Sequence, residues 1–150
     1  MRIVLSAGDF SQAENLKELG VELQNRGHVV NSFLAFGKKD LLGNPERASE
    51  EASRADLVLA GICDNNLVDL AVCRTAIKSD GLIKLAILST GYSSHRHKAF
   101  ADAKSHADLV ILPNEELLKK CRSSFRTQRL WSPATQSGIS MYLICDHKRK

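Results

Sequence analysis

Arg2-Ile3-Val4-Leu5-Ser6-Ala7-Gly8-Asp9-Phe10-Ser11 opens the chain with an apolar run that breaks into a small polar stretch and then enters a helical pattern. Ala13, Leu16, Leu19, Gly20 and Leu23 recur at three- and four-residue steps, so the segment to Arg26 has one face to pack on a sheet. Ser11-Gln12-Ala13-Glu14 has the form of a capping box, which predicts a helix beginning near Gln12. Gly27 supplies the left-handed residue that ends it. The reading is strand, polar loop, helix. In an open α/β sheet such a loop collects ligands, because free N–H groups and the positive end of the helix dipole point there.

The same alternation continues outward. His28 to Phe36 is rich in β-branched and aromatic residues and reads as the second strand. Asn44-Pro45 predicts a cap followed by proline at the first helical position, with Ala48, Ala52 and Ala55 as a weak apolar face through Arg54. Ala55 to Ile62 is apolar without alternation, the pattern of a strand covered on both faces. A helix with Leu67, Leu70, Ala71 and Ile77 inward follows, then a strand over Leu82–Leu88. A helix from about Arg96 to His106 leads to a fifth strand at Asp108–Leu112, which repeats the Ala-Asp-Leu-Val phrase of residues 55–58. Pro113-Asn114-Glu115-Glu116 starts a further helix, Gln128–Trp131 reads as a short sixth strand, and Ile139–Cys145 as a strand or a segment packed on the domain edge.

Strands alternating with helices through short linkers give an α/β fold: an open, mostly parallel, doubly wound Rossmann-like sheet of five to six strands with helices on both faces. The expected strand order is 3-2-1-4-5, with the sixth at an edge and the switch point between the first and fourth strands. Residues 1–135 form one domain, which 150 residues readily supply with a core, and 136–150 an edge segment or interdomain linker with a basic tail. No run of about 18 apolar residues occurs, so the expectation is a cytoplasmic protein with neither signal peptide nor membrane span. Cys63, Cys73, Cys121 and Cys145 lack C-x-x-C spacing and read as reduced thiols in or near the core.

With this topology Gly8, Asp9, Phe10, Ser11, Asp64, Asn65, Gly91, Tyr92, Ser93 and His95 gather around one crevice as substrate-binding residues, with His95 as the catalytic candidate. The sequence lacks G-x-G-x-x-G, G-x-x-x-x-G-K-[ST] and G-x-S-x-G, which disfavours dinucleotide binding, a P-loop and an α/β-hydrolase. Amides near Ser11 suit a phosphate, yet Asp9 opposes an anion there, or serves as a capping carboxylate. His95-x-His97 has no third ligand beside it, so no metal is expected. The net charge of +4 is too small to call for nucleic acid. Lys119, Lys120, Arg122 and Arg126 form a solvated helix face, or a weak contact for anionic lipid at the inner face of a membrane.

The phrases Ile3 to Gly8, Arg26-Gly27-His28-Val29-Val30, Ser89 to His95, Ala107-Asp108-Leu109-Val110-Ile111-Leu112-Pro113-Asn114 and Leu130-Trp131-Ser132-Pro133-Ala134 resemble, in that order, the N-terminal lobe of GT-B-type glycosyltransferases. The resemblance implies a lobe that binds a sugar or lipid-linked acceptor, with no cofactor and with a nucleotide sugar as co-substrate on a second, C-terminal lobe. It departs from that family in ending where the second lobe should begin, so the expectation is an acceptor-binding lobe, either a fragment or a stand-alone relative of such an enzyme, with a C-terminal lobe or another copy of the chain as the partner that would complete it. Two other readings stand beside it. One is a non-catalytic small-ligand or protein interaction module. The other is an enzyme of the nucleoside deoxyribosyltransferase sort, for which Asp64 and Asp69 are the candidate carboxylates although no D-G-T-x-x-E phrase follows the third strand.

Overall fold

The computed structural model describes residues 1–35, 44–62, 67–89, 103, 105–112 and the backbone of 142–144. These form β1 (Arg2–Ala7), α1 (Phe10–Asn25), β2 (Val29–Leu34), α2 (Pro45–Ser53), β3 (Leu57–Gly61), α3 (Leu67–Lys78), β4 (Lys84–Leu88), β5 (Leu109–Leu112) and β6 (Tyr142–Ile144). The strands make one sheet in the order β2-β1-β3-β4-β5-β6. The first five are parallel, and β6 closes the edge antiparallel to β5, with Leu112 opposite Tyr142 and Val110 opposite Ile144. The sixth strand thus comes from the 139–145 segment, while the expected strand at 128–131 and the helix after Pro113 lie outside the described residues; of the helix expected over about Arg96 to His106, Ala103, Ser105 and His106 are described and are helical. Among the described residues no helix is long and apolar enough to cross a membrane.

The order corrects the 3-2-1-4-5 expectation. β3 pairs with β1 rather than with β2, so the switch point falls between β1 and β3. The chain steps one way from β1 to β2 and back the other way from β2 to β3. With one handedness of crossover, that reversal puts the connecting helices on opposite faces. Two separate cores are the result. Ala13 and Leu16 of α1 pack with Ile3, Leu5, Leu59, Ala86 and Leu88, whereas Ala48 and Ala52 of α2 and Val68, Val72, Cys73 and Ala76 of α3 pack with Val4, Val58, Ala60, Leu85 and Ile87. Alternate residues of each central strand serve the two cores, which is why β3 and β4 read as unbroken apolar runs.

Local capping explains the element ends. Asp9, not Ser11, is the N-cap of α1: its carboxylate accepts from Ser11 N at 3.0 Å and Gln12 N at 3.3 Å, so the helix starts at Phe10 and the capping-box reading is displaced. At the other end Gly27 has φ +82°, His28 N donates to Leu23 O at 3.1 Å and Gly27 N to Gln24 O at 2.9 Å, a Schellman closure. Asn44 caps α2 as read, accepting from Arg47 N at 3.0 Å. The repeated Ala-Asp-Leu-Val phrase has one structural meaning in both places. Asp56 accepts from Arg2 N at 2.7 Å and Asp108 from Leu85 N at 2.9 Å, each carboxylate satisfying an amide at the amino end of the adjacent strand.

The inward face of α3 differs from the sequence expectation. Leu67 is 66% exposed, Leu70, Ala71 and Ile77 are half-buried, and the buried positions are Val68, Asp69, Val72, Cys73 and Ala76. The buried face lies nearly opposite the predicted one, a shift of about two residues at roughly 100° each. That rotation brings a carboxylate into the core.

Candidate functional site

The carboxyl ends of β1 and β3 meet at the switch point, with Ala7 opposite Gly61. Two polar side chains reach this place from opposite faces of the sheet. From α3, the fully buried Asp69 accepts the Ser6 hydroxyl hydrogen with one oxygen and Gly8 N at 2.9 Å with the other. From the first turn of α1, Gln12 is 3% exposed and lies against Gly61: a Cβ built on Gly61 would sit 2.6 Å from Gln12 Oε1. That oxygen has no hydrogen-bond partner among the described residues. Ser89, 1% exposed, follows β4 on the same side of the sheet and its N–H donates to Ile111 O at 3.0 Å.

Three amides of the turn between β1 and α1 are held by carboxylates of the chain. Gly8 N belongs to Asp69, and Ser11 N and Gln12 N belong to Asp9. A phosphate at this helix N-terminus would have to displace two carboxylates of the chain and sit beside their charge. The dipole that favours an anion here already has one, because Asp9 occupies the cap.

Of the residues read from sequence as a site, Gly8, Asp9, Phe10 and Ser11 are described, and they fall together at the β1–α1 turn. Gly8 is buried, Asp9 and Ser11 are exposed, and Phe10 is 59% exposed at the start of the helix. Asp64, Asn65, Gly91, Tyr92, Ser93 and His95 lie outside the described residues, as do Lys119, Lys120, Arg122 and Arg126. Gln12 belongs with the site but is not among the residues the sequence singles out. Asp69, read only as a candidate nucleophile, is found inside the core beneath the loop. Among the described residues no three His, Cys, Asp or Glu side chains come together as metal ligands.

Cys73, one turn along α3 from Asp69, is a buried free thiol. Burial, and secondarily the negative charge of Asp69, pushes its pKa from 9.0 up to about 12. An unfolded chain ionises this thiol near pH 9.0 while the folded chain keeps the proton, so the associated stability is intact below that pH and is lost as pH rises toward 12. Urea unfolding between pH 8 and 10.5 should show the wild type losing up to about 1.4 kcal/mol per pH unit above pH ~9 relative to Cys73→Ala. A pH-independent difference between the two proteins would contradict the assignment.

No protein-family profile matches this chain, and no curated protein sequence does either. The fold itself defines the class: a small α/β protein with a Rossmann-like, mostly parallel sheet whose strand order reverses between β1 and β3.

Proposed function

We propose that this chain binds a neutral, hydroxyl-bearing small molecule, a sugar or nucleoside, at the carboxyl ends of β1 and β3, as the acceptor-side lobe of a glycosyltransferase. The observation that carries this reading is the assignment of the loop amides. Asp69 and Asp9 hold N–H groups of the turn that a diphosphate would need, whereas the exposed carboxylate of Asp9 suits a hydroxyl donor. The sequence phrases shared with GT-B N-terminal lobes point the same way, since in that arrangement the nucleotide sugar is held by a second lobe and the acceptor by this one. The exposed ring of Phe10 at the lip of the loop adds an apolar surface of the sort on which a sugar or base face packs.

Isothermal titration of the full chain is the direct test. N-acetylglucosamine, uridine or adenosine should give saturable heat, and inorganic phosphate and a uridine diphosphate sugar none at comparable concentration. Binding of phosphate or of the nucleotide sugar tighter than every neutral probe would defeat the reading.

A second reading, glycosyl transfer on a nucleoside through a carboxylate, is favoured by the position of Asp69 below Gly8 at the switch point. It requires release of free base from a 2′-deoxynucleoside by the wild-type chain and no release by Asp69→Asn. The engagement of both Asp69 oxygens by Ser6 and Gly8 weighs toward a structural role and ranks this reading second.

A further inference from the structure

We propose that Gln12 is the specificity-determining residue of the crevice: its buried side-chain carbonyl takes a hydrogen bond from an O–H or N–H of a neutral ligand seated at the carboxyl end of β3. This rests on the crevice reading above and deepens it. A buried amide oxygen without a partner is rare, because folding strips it of water and returns nothing. Asp69 is held by Ser6 and Gly8, Asp9 by Ser11 N and Gln12 N, and Oε1 of Gln12 is the one buried side-chain N or O left over among the described residues.

A second observation concerns the strand end. Gly61 is the last residue of β3, and the Gln12 side chain occupies the space its Cβ would fill, with contacts of 2.6, 2.8 and 2.9 Å to Oε1, Cβ and Cδ. The amide is thus admitted to the strand end by the absence of a side chain there. Gln12 comes from the α1 face, Asp69 from the α3 face, and the switch point lies between them. A carbonyl in that place selects ligands with a hydrogen-bond donor and discriminates against those presenting only acceptors, since two acceptors face to face repel.

Gln12→Met tests this, because it keeps length and apolar bulk and removes the carbonyl. The measurement is a titration of the ¹⁵N-labelled full chain with N-acetylglucosamine, uridine and adenosine, following the amide signals of Gly8, Gly61 and the residue at position 12, together with the thermal midpoint of each protein. The inference expects a neutral probe to move these signals in the wild type, with a dissociation constant at least tenfold weaker in Gln12→Met, a factor worth ~1.4 kcal/mol. It also expects Gln12→Met to melt no lower than the wild type, because an unpaired buried acceptor has been removed. Equal affinity of the two proteins overturns the role of Gln12 and leaves the crevice reading standing. A midpoint lowered by several degrees overturns it too, since the carbonyl would then have an internal partner. Silence of all three probes in the wild type overturns both.

Discussion

Asp69→Ala should destabilise the protein by about 3–4 kcal/mol, the cost of leaving two buried donors unpaired at about 1–3 kcal/mol each. Ser6 and Asp69 are both fully buried, and Asp69 is the acceptor for the Ser6 hydroxyl and for Gly8 N. Alanine removes the acceptor and keeps the donors in place, which is the costly half of the asymmetry between breaking a pair and replacing it. Asp69→Asn should lose less, about 1–2 kcal/mol, because the amide oxygen still accepts from Gly8 N and the Ser6 hydroxyl can rotate to accept from the new NH₂. Urea denaturation checks the order wild type, Asn, Ala. An Asp69→Ala loss below about 1 kcal/mol would mean that the carboxylate does not hold the loop. Against a total stability of about 5–15 kcal/mol, the expected loss is large enough to populate the unfolded chain under mild stress.

On the proposed reading, the same carboxylate restricts what the β1–α1 turn can bind. A phosphate recruited to the β1–α1 turn would compete with Asp69 for Gly8 N and with Asp9 for the first amides of α1, and success would orphan the Ser6 hydroxyl as well. The turn has the backbone of a phosphate site and the charge of its opposite. A hydroxyl ligand meets no such competition, because it can donate to the exposed Asp9 carboxylate without displacing either acid from its amides.

Much of this is legible in the residues, and the failures have separate causes. The apolar run at 55–62, without alternation, announces a strand covered on both faces, and β3 is such a strand. Asn44 names a helix start because its side chain accepts an otherwise unpaired backbone N–H, and Gly27 a helix end because it adopts the positive φ that the closure needs. The N-terminus of α1 is misplaced from sequence because Asp9 and Ser11 both satisfy cap chemistry, and only the geometry of the turn chooses between them. Strand order is not legible: the apolar run says that β3 is covered on both faces but not whether it pairs with β1 or with β2, and right-handed crossovers permit both orders. Asp69 is hidden for a different reason. Its partners lie 61 and 63 residues away in sequence, so no local spacing betrays them, and a carboxylate on the inward stripe shifts the apparent phase of α3 toward Leu67 and Leu70. Gln12 leaves no sequence signal beyond being a polar residue in the first turn of an amphipathic helix. Gly61 in an otherwise apolar strand is the available clue that something approaches closely there.

Gly61→Ala should cost about 2–3 kcal/mol, the overpacking range for a core with no room to give. Gly61 has no positive φ, so the effect is spatial rather than conformational. An added methyl would meet Gln12 at 2.6 Å from Oε1, 2.9 Å from Cδ and 2.8 Å from Cβ. Turning the amide away relieves the first two contacts but not the third, because Cβ moves only with the backbone of α1. The helix then has to lift from the sheet, and Ala13 and Leu16, buried beside Leu5 and Leu59, lose contact with it. Gln12→Ala in the Gly61→Ala background should therefore recover part of the loss, since its own Cβ stays in the way. Gln12→Gly should relieve the clash altogether while adding the helix penalty of about 1 kcal/mol for glycine. A double-mutant cycle over Gly61→Ala and Gln12→Gly, measured by denaturant unfolding, should give a coupling of at least about 1 kcal/mol. Additive losses would show that the two residues do not touch. The same Gly61→Ala protein should also bind the neutral probes more weakly, because a displaced Gln12 no longer presents its carbonyl at the end of β3.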